Sequence, residues 1–130
     1  MAANRKTIPE EMTDCPCAGT TLDRLIQPAI LVVLAEGPLH GYHVANRIGK
    51  MPMFRGVKPD SSGVYRFLKA MESKGLVTSS WDTSQSGPAR RIYEMTETGE
   101  RCLEHWAKTL EEYREGLTFL LKAARKAVHR

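Results

Sequence analysis

The sequence predicts a mainly α-helical fold: three short helices, a two-stranded β-hairpin and one long terminal helix. Three observations predict it. Apolar residues recur at helical spacing in three blocks separated by Gly- and Pro-containing breaks. Two short runs of β-type residues then flank a polar stretch rich in turn formers. Finally, an unbroken helical pattern fills the chain from residue 96 almost to its end.

A length of 130 residues sets the expectation of one core. Hydrophobic residues make up 42% and charged residues 26%, as in ordinary soluble globular proteins. No apolar run approaches the roughly 20 residues that span a bilayer. Arg5 and Lys6 lead into polar and acidic residues rather than an apolar stretch, so no signal peptide is expected and a cytoplasmic location is. In that compartment the three cysteines are expected to be reduced thiols.

Residues 1–20 carry Pro9, Pro16 and Gly19 without sustained periodicity and read as an N-terminal extension. From Thr21, Leu22, Leu25, Ile26, Ile30, Val33 and Leu34 recur at helical spacing, with Thr20 or Thr21 as a cap. Pro28 places the start of this helix near itself or kinks it there. Glu36-Gly37-Pro38 ends it. A second helix is expected over Gly41 to Lys50, with Tyr42, Val44, Ala45 and Ile48 as its apolar residues, followed by a loop through Met51-Pro52-Met53-Phe54. In the third, Asp60, Ser61 and Ser62 offer capping oxygens, and Val64, Phe67, Leu68 and Met71 form one apolar stripe. Gly75 fits the left-handed position after its end, with Leu76 folding back on Met71.

Leu76 to Trp81 and Ile92 to Met95 are the strand-like runs, joined by the turn-rich stretch Asp82 to Ala89. On the last helix, Leu103, Trp106, Leu110, Tyr113, Leu117, Leu120, Ala124 and Ala127 alternate steps of three and four, an a/d heptad seam about 37 Å long. A small core does not cover that length, so a partner helix is expected and a homodimer is the simplest form of it. In this order the elements describe a winged helix-turn-helix over residues 21–96 with a coiled-coil-like dimerisation helix over residues 97–130.

Charge placement points to a partner. Between Arg55 and Arg91, seven cations face three carboxylates, which accounts for the whole net charge of +4. Clustering of this kind is the footprint of a polyanion-binding surface. If the third helix turns its stripe inward, Ser62, Tyr65, Arg66, Lys69 and Ser73 face away. Its N-terminal turn near Ser61 and Ser62 can hold a phosphate, and base edges are met from that half of a recognition helix. Arg90 and Arg91 stand at the base of the hairpin, where a wing reaches the adjacent backbone. The expected DNA-contacting set is therefore Ser61, Ser62, Tyr65, Arg66, Lys69, Arg90 and Arg91, acting on a double-stranded operator.

The runs ILVVLAEGPLHGYHVANRI (Ile30 to Ile48), SSGVYRFLKAMESKGLV and SGPARRIYEMTETG, in that order, resemble the PadR-like transcriptional regulators over about residues 25–120. The resemblance implies a homodimeric winged-helix repressor that binds a palindromic operator and is released by a small effector. The single helix after the wing is similar to the short-form members, whose terminal helix packs in the dimer. Tyr65 matches the family's recognition-helix tyrosine, and Gly87-Pro88 with Arg90-Arg91 its wing motif. Where the family commonly has proline after that tyrosine, this chain has Arg66. Relatives also use aromatics on the last helix to hold flat ligands, which makes Trp106 the effector-site candidate against ordinary packing.

Two other clusters carry possible chemistry. His40 and His43 stand three apart, a metal-compatible spacing, although a structural role for His40 beside the second helix is the simpler reading. Cys15 and Cys17, with Cys102 at the start of the long helix, suit a soft metal or oxidative pairing and define an alternative, a metal- or redox-responsive regulator on the same scaffold. No cofactor is otherwise required. No phosphate-binding glycine loop, strong metal motif or nucleophile–base pairing is present, so an enzyme is not expected.

Overall fold

The structure is a computed structural model that describes residues 24–54, 61–84 and 86–129, with backbone alone for Ser61 and Ser62. Its elements are helix α1 (Ile26–Leu34), strand β1 (Leu39–His40), helix α2 (Gly41–Gly49), a 3-10 turn (Pro52–Phe54), helix α3 (Ser61–Ser73), strands β2 (Val77–Asp82) and β3 (Arg90–Met95), and helix α4 (Glu97–Val128). The mainly helical winged fold is as expected. Among the described residues no helix is long and apolar enough to cross a membrane.

α1 begins two residues before Pro28 and runs on through it as one α-helix. Pro28 falls in the first turn, where the missing N–H would have had no acceptor anyway. The expected cap at Thr20 or Thr21 lies outside the described residues, and the residue in the cap position is Leu25, which makes no side-chain capping bond. Ile30 and Leu31 are fully buried, and α1 packs against α2, α3 and α4 as the centre of the core. Val44 and Ile48 of α2, Phe54 of the 3-10 turn and Val64, Leu68 and Met71 of α3 complete it. Tyr42 departs from expectation. It is exposed rather than part of α2's apolar face, because the buried stripe runs through Gly41, Val44, Ala45 and Ile48.

α3 ends as predicted. Gly75 has φ +78°, the Leu76 amide donates to the Met71 carbonyl at 2.9 Å and the Gly75 amide to the Glu72 carbonyl at 3.0 Å. These are the two bonds of a Schellman motif. The strands run further toward the hairpin tip than the apolar pattern suggests: β2 leaves out Leu76 and reaches Asp82, and β3 starts two residues early at Arg90, so Arg91 and Arg90 are ladder residues paired with Trp81 and Asp82. Backbone pairing carries the ladder beyond the core, where side-chain hydrophobicity gives no signal. A two-residue strand, β1, joins the other edge of β3 through Leu39↔Tyr93 and His40↔Ile92, giving the order β1-β3-β2. Two residues are too short for a period-2 pattern, so this strand leaves no signal in the sequence.

α4 is tied to the core at its first turn. The Thr96 side chain caps the helix by accepting from the Gly99 amide at 3.0 Å, and its hydroxyl lies 2.6 Å from the Gly75 carbonyl and 3.0 Å from that of Leu76. Glu97 and Glu100 in the first turn and Arg125 and Lys126 in the last complement the helix dipole.

Candidate nucleic-acid interface

α3 is two-faced in the way its sequence suggests. Val64, Leu68 and Met71 are buried and Phe67 packs against them, while Tyr65, Arg66, Lys69 and Ser73 are turned to solvent. The hydrophobic stripe thus fixes the helix rotation and leaves the polar set facing outward. Ser61 and Ser62 form the first turn of the same helix; the neighbouring Asp60 lies outside the described residues. Among the described residues no carboxylate pairs with Arg66, Lys69, Arg90 or Arg91, whereas Arg47, Arg101 and Arg114 are paired with Glu36, Glu97 and Glu111.

The structure brings α3 and the hairpin together around one cleft of about 610 Å³, lined by His40, Gly41, Tyr42, Tyr65, Arg90, Arg91 and Tyr93. Of these, Tyr65, Arg90 and Arg91 are the residues that the sequence marks for DNA contact, whereas Gly41 and Tyr93 carry no such local signal. Gly41 is the first residue of α2, and a Cβ on it would stand 2.4 Å from Cε1 of Tyr65, 3.0 Å from Cζ and 3.1 Å from the hydroxyl. Only a glycine lets the Tyr65 ring lie against the start of α2. Burial pushes the Tyr93 phenol up from its ordinary pKa, opposed by the nearby Arg91 charge.

A polar strap holds the hairpin to the helical unit. His40 Nε2 meets Asp82 Oδ2 at 2.9 Å, reaching across β3 from β1 to the end of β2. The Ser84 hydroxyl (2.6 Å) and amide (3.0 Å) also donate to Asp82. The Ser84 bonds first, and then His40, hold the Asp82 carboxyl down at about 2, so it stays a carboxylate throughout the neutral range. His40 therefore has a partner within the chain, and His43 is exposed beside it at 5.8 Å between ring centroids.

The remaining sequence candidates fall elsewhere. Cys15 and Cys17 lie outside the described residues; Cys102 is half-buried and packs against the core. Among the described residues no group of three or more His, Cys, Asp or Glu could hold a metal ion. On α4, Leu103 and Trp106 pack against the chain's own core, and the Trp106 indole N–H donates to Gln27 Oε1 at 2.8 Å. The seam beyond is uncovered: Tyr113 is 51%, Leu117 64% and Leu120 61% exposed. Leu110 between them lines a small apolar groove of about 130 Å³ with Leu25, Pro28, Ala29, Val32, Met51 and Met53.

Known proteins share this fold. The chain resembles the solved PadR family transcription regulator of Clostridium difficile R20291, with 26% identity over 75% of this chain and 98% of that one and a TM-score of 0.65. Bacillus subtilis PadR, solved in complex with operator DNA, matches at 25% identity and a TM-score of 0.57, over 65% of this chain and 47% of that one. A PadR-like regulator of Bacillus cereus, at 20% identity, a TM-score of 0.67, and coverage of 78% of this chain and 96% of that one, shares the fold. No curated protein matches the sequence. Residues 30–105, which run from the second half of α1 through the wing to the start of α4, match the transcriptional regulator PadR-like family. The chain belongs to that family, whose members are transcriptional regulators rather than enzymes.

Proposed function

We propose that the chain is a homodimeric, sequence-specific DNA-binding regulator that represses transcription from a palindromic operator and is released by a small effector. The observation that carries DNA binding is the continuity of the outer face of α3 with Arg90 and Arg91 through one cleft, with cations that no carboxylate among the described residues neutralises. In this reading α3 enters the major groove with Tyr65, Arg66 and Lys69, the first turn at Ser61 and Ser62 meets a phosphate, and the wing arginines reach the flanking backbone. The DNA complex of the Bacillus subtilis relative supports it. The dimer reading rests on the exposed seam of α4 and the apolar groove that continues it, and the effector would act by shifting the spacing of the two recognition helices.

Selection of duplexes from a random pool, followed by titration at rising salt, tests this reading. Affinity should fall steeply as cations compete with phosphate contacts. Arg66→Ala should cost about 1–3 kcal/mol on the selected site if the side chain reads a base. An equal loss on random DNA would make it a phosphate contact, and no selection of any sequence would sink the proposal.

Gly41→Ala gives a sharper test of Tyr65. The new methyl displaces a half-exposed ring that can swing outward, so thermal stability should change by less than about 1 kcal/mol. Specific DNA affinity should nevertheless drop by about 1–2 kcal/mol, as if a base contact were lost. Because the effect runs through Tyr65, adding Gly41→Ala to Tyr65→Ala should cost nothing more. Additive losses measured by fluorescence anisotropy would disprove the coupling.

A further inference from the structure

Trp81 lies outside every set named so far. It is 62% exposed on β2, directly across the ladder from Arg91, whose guanidinium stands 5.0 Å from the centre of the indole. Strand alternation puts Val77, Ser79 and Trp81 on the same sheet face as their partners Met95, Tyr93 and Arg91. The inner members, Val77 and Tyr93, are buried in the core. Trp81 and Arg91 carry the same face past the core's edge; Arg91 lines the cleft with Tyr65, and Trp81 stands against Arg91.

We propose that Trp81 is a DNA-contacting residue of the wing that positions Arg91 on a phosphate and packs its own ring on the adjoining deoxyribose. This rests on the DNA-binding reading above. A cation–π contact restricts the long Arg91 side chain without consuming its N–H donors, and its hydrogen bond to the Tyr93 hydroxyl leaves others of the five for a phosphate. A phosphate held on that guanidinium brings the next sugar against the indole, and the apolar ring then leaves water. The charge fits one occupant: among the described residues no carboxylate forms an ion pair with Arg91 or Arg90, and Asp82, which faces Arg90 across the ladder, is taken up by His40 and Ser84, so a polyanion backbone is the complement.

The chain has two tryptophans, which makes the test direct. Full-length chain labelled with 5-fluorotryptophan gives two 19F resonances, and the one that vanishes in Trp81→Phe belongs to this site. Mixed-sequence duplex DNA at low ionic strength is added while anisotropy of a labelled duplex reports binding independently. The Trp81 resonance should shift and lose most of its H2O/D2O isotope effect, while that of Trp106, bonded to Gln27, stays in place. Trp81→Ala should weaken binding about tenfold and lower the salt slope by about one, with Trp81→Phe between it and the parent. Binding with an unchanged Trp81 resonance, or a full salt slope in Trp81→Ala, overturns the proposal alone. Absence of any anisotropy change would overturn the DNA-binding reading and this proposal with it.

Discussion

Replacing Leu117 and Leu120 together by glutamate is expected to leave the chain monomeric and to weaken its specific DNA binding by about a thousandfold. Both leucines are more than half exposed in the single chain, on a helix of 32 residues whose first three turns alone pack on the core. Tyr113, Leu117, Leu120 and Leu121 lie on one side of that helix, an apolar surface of the kind that marks an interface. A two-fold dimer would bury four such leucines, and at about 1.5 kcal/mol or more each their loss removes upward of about 6 kcal/mol, before any repulsion between the new charges. That is more than four decades of dimer affinity. A monomer keeps one recognition helix and one wing, and so surrenders half of the phosphate and base contacts. Sedimentation should show the change of mass and anisotropy the loss of operator affinity, while the helical signal at low temperature persists. A double variant that sediments like the parent would refute the α4 interface.

Gly99→Ala is expected to lower stability by about 2–4 kcal/mol, or roughly 10 °C in melting temperature. A Cβ at this position would stand 2.1 Å from the Leu76 carbonyl oxygen, 3.1 Å from its carbon and 2.9 Å from Cγ of Met95. The clash is with backbone that has no room to yield, since the same carbonyl accepts from the Thr96 amide at 3.1 Å and faces its hydroxyl. Relief requires α4 to lift off its first turn and release the Thr96 cap, a bond worth about 1 kcal/mol. The ordinary gain of alanine over glycine in a helix, about 1 kcal/mol, is too small to compensate. Gly116, in the same helix, supplies the contrast: among the described residues nothing lies within 4 Å of its Cβ position, so Gly116→Ala should be neutral or stabilising. Thermal unfolding followed by circular dichroism measures both. An equal response of the two glycines would contradict the tight junction between α3, β2 and α4.

The periodic and punctuating features were legible because they are local. The rotation of α3 follows from Val64, Leu68 and Met71 at helical spacing, and its end from Gly75 and the Leu76 that returns to Met71. The alternating seam of α4 follows in the same way, and so does the family, carried by three motifs in order. What sequence reasoning could not reach are relations between segments distant in the chain. Gly41 reads as a helix-start glycine until Tyr65, 24 positions later, is seen lying on it. His40 reads as a structural residue beside the second helix with no partner in view until Asp82 supplies one across the sheet. Trp81 reads as an ordinary strand aromatic until the ladder sets it against Arg91. The division of the α4 stripe is likewise a tertiary fact, because Trp106 bonded to Gln27 and Leu117 in solvent are equivalent by spacing and differ only in what packs beside them. Local pattern and motif order were enough for the four helices, the hairpin, the inward face of α3 and the family, but not for β1 or for the outward placement of Tyr42. Tertiary structure decided which side chains meet, because hydrophobic periodicity encodes where a residue points relative to its own element and not what another element places opposite it.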